Sequence, residues 1–97
     1  MPVSFKAGDT FYVIYKVTNK ITGRFYIGKH KTKNPGDWYY GSSPTLQEDI
    51  KKLGKENFKK EILHCYKRES TMIRKEKELV NLELIRNPMS YNYRLGG

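Results

Sequence analysis

Ninety-seven residues can bury one modest core and little more, which fits a single domain over residues 1–97. Lys and Arg outnumber Asp and Glu by 19 to 10, a net charge of +9, and this excess favours a polyanionic partner, nucleic acid ahead of an acidic membrane surface. The single cysteine, Cys65, excludes an internal disulfide and suits a reducing, intracellular setting, and no stretch approaches the about 18 apolar residues of a membrane span.

Residues 1–9 read as a polar lead-in, with a turn at Ala7-Gly8-Asp9 and no apolar middle of the kind a signal peptide needs. Residues 10–18, TFYVIYKVT, are β-branched and aromatic. Phe11, Val13, Tyr15 and Val17 share one face by the period of two, and Tyr12, Ile14 and Lys16 share the other. Apolar groups on both faces predict an interior strand. Asn19-Lys20-Ile21-Thr22-Gly23 is a hairpin connection in which Gly23 supplies positive φ. Residues 24–29 form the return strand. Folding about Lys20-Ile21 sets Tyr15 opposite Tyr26, within a residue of register, so the turn makes the two tyrosines neighbours.

Residues 30–43 form a loop of mixed chemistry, interrupted at Pro35-Gly36 and carrying Lys31, Lys33, Asp37, Trp38, Tyr39 and Tyr40. Ser43 followed by Pro44 starts a helix, with Leu46, Ile50 and Leu53 on its buried face and Gly54 as its stop. Residues 57–66 read as a third strand. Residues 70–86 read as one helix capped by Ser70, with a seam of Met72, Ile73, Leu79, Val80 and Leu84, ended by Asn87-Pro88. The predicted fold is α+β, a three-stranded, mainly antiparallel sheet flanked by helices.

The chain has no serine elbow, no Walker loop and too few Cys and His for a closed zinc site. Gly41-Ser42-Ser43 precedes a helix start and offers backbone amides to a phosphate, a weak signal alone. Glu76 is more informative. It falls on the apolar seam, four after Met72 and three before Leu79, as does Glu83, whereas Glu78 points away. An inward carboxylate needs a basic partner or a metal, and a lone carboxylate with waters and substrate phosphate suffices for magnesium. Strand tyrosines are ordinarily core or rim residues. Gly28, though, weakens a strand unless some group must approach the backbone closely. If the strand runs two residues past Gly28, His30 joins the Tyr26 face. His64 alternates within the third strand and reads as structural.

Val13-Ile14-Tyr15, Tyr26-Ile27-Gly28, the spacing between them and the element order together resemble the GIY-YIG nuclease family, with valine in place of the first glycine. The resemblance spans about residues 11–95. Gly-Lys-His after the second tyrosine, the Tyr-Gly-Ser-Ser loop and the Leu-Gly-Gly ending resemble phage-type homing endonucleases. It implies a metal-dependent DNA endonuclease in the cytoplasm of a phage-infected host, working by one-metal hydrolysis. Glu76 would hold Mg²⁺ or Mn²⁺, with Glu78 the alternative ligand. Tyr15 would accept or relay the proton of the attacking water, its pKa lowered by nearby lysines or the metal. Tyr26 would orient the water or a phosphate oxygen, and Asn92 of Ser90-Tyr91-Asn92 would support the site. Lys29, Lys33, Tyr40 and Ser42 would contact the DNA. One departure stands out. Such enzymes place an arginine soon after the second motif, and none lies between Arg24 and Arg68 here. Lys29, His30, Lys31 and Lys33 are candidates to replace it, His30 and Lys31 foremost. Specificity would come from this fold, from a homodimer or from a part outside this chain. Two other readings are a non-catalytic nucleic-acid binding module and a protein-interaction domain on a degenerate nuclease scaffold.

Overall fold

The computed structural model describes residues 9–34, 37 and 39–96. Ala7-Gly8, Pro35-Gly36 and Trp38 therefore lie outside the described residues. Phe11–Asn19 forms β1 and Phe25–Thr32 forms β2. Phe58–Tyr66 forms β3, after a short 3-10 turn over Lys55–Asn57. Both neighbours pair antiparallel with β1, giving the order β2-β1-β3. The expected α+β class is the observed one. β1 is the interior strand because both its faces are covered: Val13, Ile14, Tyr15 and Val17 are at most 1% exposed.

One face packs under helix α1, Pro44–Leu53. Leu46 joins Val13, Tyr15, Val17, Phe58 and Tyr91 in the core, flanked by Ile50 and Leu53 as the seam predicts. Each such aliphatic side chain contributes about 1.5–3 kcal/mol on burial. Ser43 caps α1, accepting a hydrogen bond from Leu46 N at 3.4 Å, and Gly54 ends it at φ 93°. Helix α2, Glu69–Leu79, crosses β1 and β2 on the Ile14 side and buries Met72.

Three expectations are corrected. The hairpin folds between Ile21 and Thr22, not about Lys20-Ile21, so Tyr15 faces Gly28 and Tyr26 faces Val17. The cause is a wide Asx turn: Asn19 Oδ1 accepts from Ile21 N (2.9 Å) and Thr22 N (3.2 Å), and Gly23 N donates to Asn19 O at φ 82°. Moving the fold axis by one residue shifts the register by two, which preserves the face. Tyr15 and Tyr26 therefore remain neighbours, on a diagonal.

The helix expected over 70–86 breaks. It starts at Glu69 with no side-chain cap, so Ser70 is not its N-cap, and it ends at Val80. A separate helix α3, Leu82–Arg86, is capped by Asn81, whose side chain accepts from Leu84 N at 3.0 Å. A β-branched residue followed by a good capping residue favours stopping and restarting over propagation. The seam narrows as a result: Ile73 is 36% exposed, and Glu83 is exposed on α3.

β2 runs to Thr32, three residues beyond the expected end, which puts His30 on the Tyr26 face. The bulge in β3 opposite Ile14 and Tyr15 leaves Leu63 without a counterpart. It keeps Lys60 and Ile62 on the Tyr15 face before the bulge and Cys65 on the Val13 face after it. The C-terminal segment covers the outer edge of β2. Phe25 N donates to Met89 O (2.9 Å) and Tyr91 N donates to Phe25 O (2.7 Å). Tyr91 is anchored in turn: its hydroxyl accepts from Asn19 Nδ2 and donates to Asp49, while the Arg24 guanidinium lies 4.1 Å over its ring. Among the described residues, no helix is long and apolar enough to cross a membrane.

Candidate active site

Gly28 has a concrete job. A Cβ there would stand 2.6 Å from the Tyr15 hydroxyl oxygen and 2.7 Å from the Tyr26 ring. Gly41, at φ 106°, is equally tight: its Cβ would meet the Tyr26 ring at 2.5 Å and the Tyr15 hydroxyl at 2.9 Å. The two phenols thus lie between two backbones that only glycine clears. Their ring centroids are 6.1 Å apart, and Tyr39 meets Tyr15 edge-on at the same distance.

Burial, the neighbouring Tyr26 and Tyr39 phenols, a hydrogen bond to Tyr26 and the charge of Glu76 all push the Tyr15 pKa far above the ordinary phenol value. The lysines expected to lower it do not outweigh these effects. Burial also raises Tyr26, but hydrogen bonds from the Ser42 side chain and backbone work the other way. Tyr26 is accordingly the more easily ionised of the pair.

Both phenols feel the charge of Glu76, and the cleft at the outer edge of β2 shows why. Its space is about 130 Å³, bounded by Tyr26 and Ser42 from the α1 face, Glu76 and Val80 from the α2 side, and residues 92–95 of the C-terminal segment. The edge strand is where the two faces of the sheet meet. The Glu76 side chain is 12% exposed against 66% for Glu78, which pairs with Lys75, so the facing argument for Glu76 agrees with its placement. Lys29 Nζ lies 3.3 Å from Glu76 Oε1. Gly96 closes the site from behind: its N–H donates to Val80 O at 2.9 Å, and a Cβ there would meet the Glu76 backbone oxygen at 2.7 Å. Asn92 supports β2 with both ends of its amide, accepting from Ile27 N (2.9 Å) and donating to Ile27 O (2.7 Å).

The donor set suits a hard cation that keeps most of its water. Among the described residues no three His, Cys, Asp or Glu side chains gather to cage a metal. A single shielded carboxylate facing a polar cleft fits Mg²⁺ or Mn²⁺ and not zinc.

The family model described as "Putative endonuclease segE, GIY-YIG domain" matches residues 2–94. This chain belongs to the GIY-YIG family. It is 45% identical over 87 residues to "Putative endonuclease segB" of Enterobacteria phage T4, covering 90% of this chain and 39% of that protein. It is 43% identical over 86 residues to "Putative endonuclease segD" of the same phage, covering 89% and 39%. "Endonuclease segA", also of phage T4, is 39% identical over 83 residues, covering 86% and 38%. The chain thus spans about two fifths of the length of these relatives. No solved structure matches it.

The two GIY-YIG tyrosines, Ser42, Glu76 and Asn92 converge as expected, with Lys29 beside Glu76. Other candidates do not. Lys31 projects to the opposite face of β2, its Nζ 5.8 Å from the Tyr12 ring, because it alternates with His30. Lys33 is exposed beyond the end of β2. Tyr40 turns toward Lys55, whose Nζ lies 5.5 Å from its ring. His30 keeps the Tyr26 face but its Nε2 pairs with Asp37 Oδ2 at 3.0 Å, and its ring stacks on Tyr39 at 4.1 Å.

Asp37 and Lys60 went unrecognised as site residues in the sequence. Asp37 accepts from Thr32 Oγ1 (2.7 Å), Lys60 Nζ (3.1 Å), Tyr39 N (3.2 Å) and His30. Burial opposes its ionisation, yet these hydrogen bonds hold its carboxyl well below the usual range. Lys60, 9% exposed along its side chain, also lies 5.1 Å over the Tyr15 ring. The pair clamps the loop onto the sheet and seats Tyr39 against Tyr15. Asp37 draws its partners from two strands and a loop, so no local pattern announces it. A basic residue alternating with Phe58 and Ile62 was the available signal for Lys60.

Proposed function

We propose that this chain is a catalytic domain that hydrolyses phosphodiester bonds in DNA, with Glu76 holding Mg²⁺ or Mn²⁺. The observation that carries the proposal is one cleft in which Tyr26, backed by the buried Tyr15 and cleared by Gly28 and Gly41, faces the shielded Glu76 carboxylate. Membership of the GIY-YIG family and the printed names of the phage relatives support the same reading. A bound cation would supply positive charge for the phosphate as negative charge grows in the transition state. The chain's own groups do the rest. Tyr26, held by Ser42, orients a water for in-line attack on phosphorus and takes part in removing its proton. Tyr15, kept neutral by burial, donates a hydrogen bond that stabilises the Tyr26 phenolate, so that Tyr26, having released its own proton to solvent, accepts the proton of the water. Asn92 fixes Ile27 and with it the position of Tyr26.

The 3.3 Å contact between Lys29 and Glu76 favours a second reading, a non-catalytic nucleic-acid binding module in which the lysine pairs with the carboxylate in place of a metal. Plasmid and branched DNA incubated with Mg²⁺, Mn²⁺ or EDTA separate the two. Cleavage is expected with metal only, with a loss of at least about 10³-fold in Glu76→Gln and near-normal rates in Glu78→Gln. Binding without cleavage in every metal would sink the nuclease proposal.

A further inference from the structure

Hydrolysis of a phosphodiester at this cleft needs a fixed cation of the protein's own, since negative charge grows on the phosphate oxygens. The sequence candidates are committed elsewhere. His30 is held by Asp37, Lys31 lies on the other face, Lys33 is exposed beyond the end of β2, and Lys29 sits against Glu76; Lys60, which the sequence did not single out, is also held by Asp37. Among the described residues bounding the cleft, Arg94 alone carries a full positive charge.

Its placement is built rather than incidental. Asn92 is fixed to the edge of β2 by both ends of its amide, and Gly96 is fixed to the end of α2 through Val80 O. Residues 93–95 therefore form a strap tied at both ends across the cleft mouth. Tyr93 and Leu95 are 54% and 64% exposed on it, so the strap is not held there by burial. The Arg94 guanidinium rests 5.2 Å over the Tyr93 ring, which limits its rotamers while leaving its N–H fork for another group. No carboxylate among the described residues pairs with it.

We infer that Arg94 is the phosphate-holding cation of this cleft, gripping a DNA backbone phosphate beside Glu76 from the strap over residues 93–95. The inference deepens the nuclease proposal and rests on it for the identity of the ligand. It assigns to the C-terminal segment a role that the sequence analysis sought in Lys29–Lys33.

Binding of a labelled DNA duplex in EDTA tests it without any metal-loaded activity. The wild type, Arg94→Ala, Arg94→Lys and Lys59→Ala are compared between about 50 and 200 mM salt. Lys59, 63% exposed and paired with Glu61 on β3, is the remote-charge control. Arg94→Ala is expected to weaken binding about tenfold at low salt and to reduce the slope of log affinity against log salt by about one. Arg94→Lys should keep the slope, and Lys59→Ala should keep both. With Mg²⁺, turnover of Arg94→Ala should fall about 10²–10³-fold, Arg94→Lys being partly rescued, since a lysine supplies the charge but not the fork. Unchanged melting temperatures would exclude misfolding. Wild-type slope and affinity in Arg94→Ala would overturn the inference. If the wild type cleaves nothing in any metal, the nuclease proposal fails, and the salt slopes still decide the Arg94 contact.

Discussion

Gly28 and Gly41 show how much of the site depends on missing atoms. A methyl at residue 28 would overlap the Tyr15 hydroxyl at 2.6 Å, and the buried Tyr15 ring, 1% exposed, has little room to retreat. Gly28→Ala is expected to cost about 1–3 kcal/mol and to lower cleavage about 10²-fold, read by melting and by plasmid nicking. Gly23→Ala is the contrast. Its Cβ would meet only the flexible Met89 side chain at 3.3 Å, at φ 82°. It should lose stability and keep cleavage. At this scale the tyrosines, Gly28, Glu76 and Asn92 were legible because each carries a local signature: a motif, an odd glycine in a strand, a carboxylate on an apolar seam. Asp37 and Arg94 carry none, and Lys60 only its alternation with Phe58 and Ile62, since their places are set by tertiary packing.

Among the elements, the loop after β2 departs furthest from expectation. It reads in the sequence as a loop of mixed chemistry with lysines and His30 offered to the site, and it is a clamp centred on Asp37. Because the Asp37 pKa is depressed in the folded state, its stabilising contribution is fully present above the ordinary carboxylate value of about 3.9. It is lost as pH falls below that value. Asp37→Asn should therefore lower the stability at pH 7 by on the order of 1–3 kcal/mol for charge-assisted hydrogen bonds, read as a lower melting temperature. The gap from the wild type should close as the pH is taken down through 3. A gap that stayed constant would mean that the clamp does not depend on the charge. The break between α2 and α3 is the second element-scale surprise. Asn81 accepts from Leu84 N, so Asn81→Ala should cost about 1 kcal/mol by chemical denaturation, with cleavage unaffected. Helical periodicity runs straight through residues 70–86 and hides the restart.

For the molecule as a whole, the excess of 19 basic over 10 acidic residues predicts DNA association that falls with salt. Affinity in EDTA should drop about tenfold or more from about 50 to about 200 mM salt, measured by fluorescence anisotropy; a flat response would argue against a polyanionic partner. The amino-acid order by itself determined the strands and α1, because alternation and Ser-Pro capping are local, and it pointed to the tyrosine face, which a register shift of two residues preserves. It also pointed to Glu76 through the helical seam. Only the tertiary structure decided the diagonal meeting of Tyr15 and Tyr26, which a single Asx turn shifts by two residues. It alone decided that Lys31 and Lys33 leave the site while Lys29 stays beside Glu76, and that a C-terminal strap brings Arg94 to a cleft at a sheet edge. Such contacts join distant segments, 65 residues apart for Asn92 and Ile27 and 72 for Asn19 and Tyr91, and they depend on where packed elements end in space, which no local pattern records.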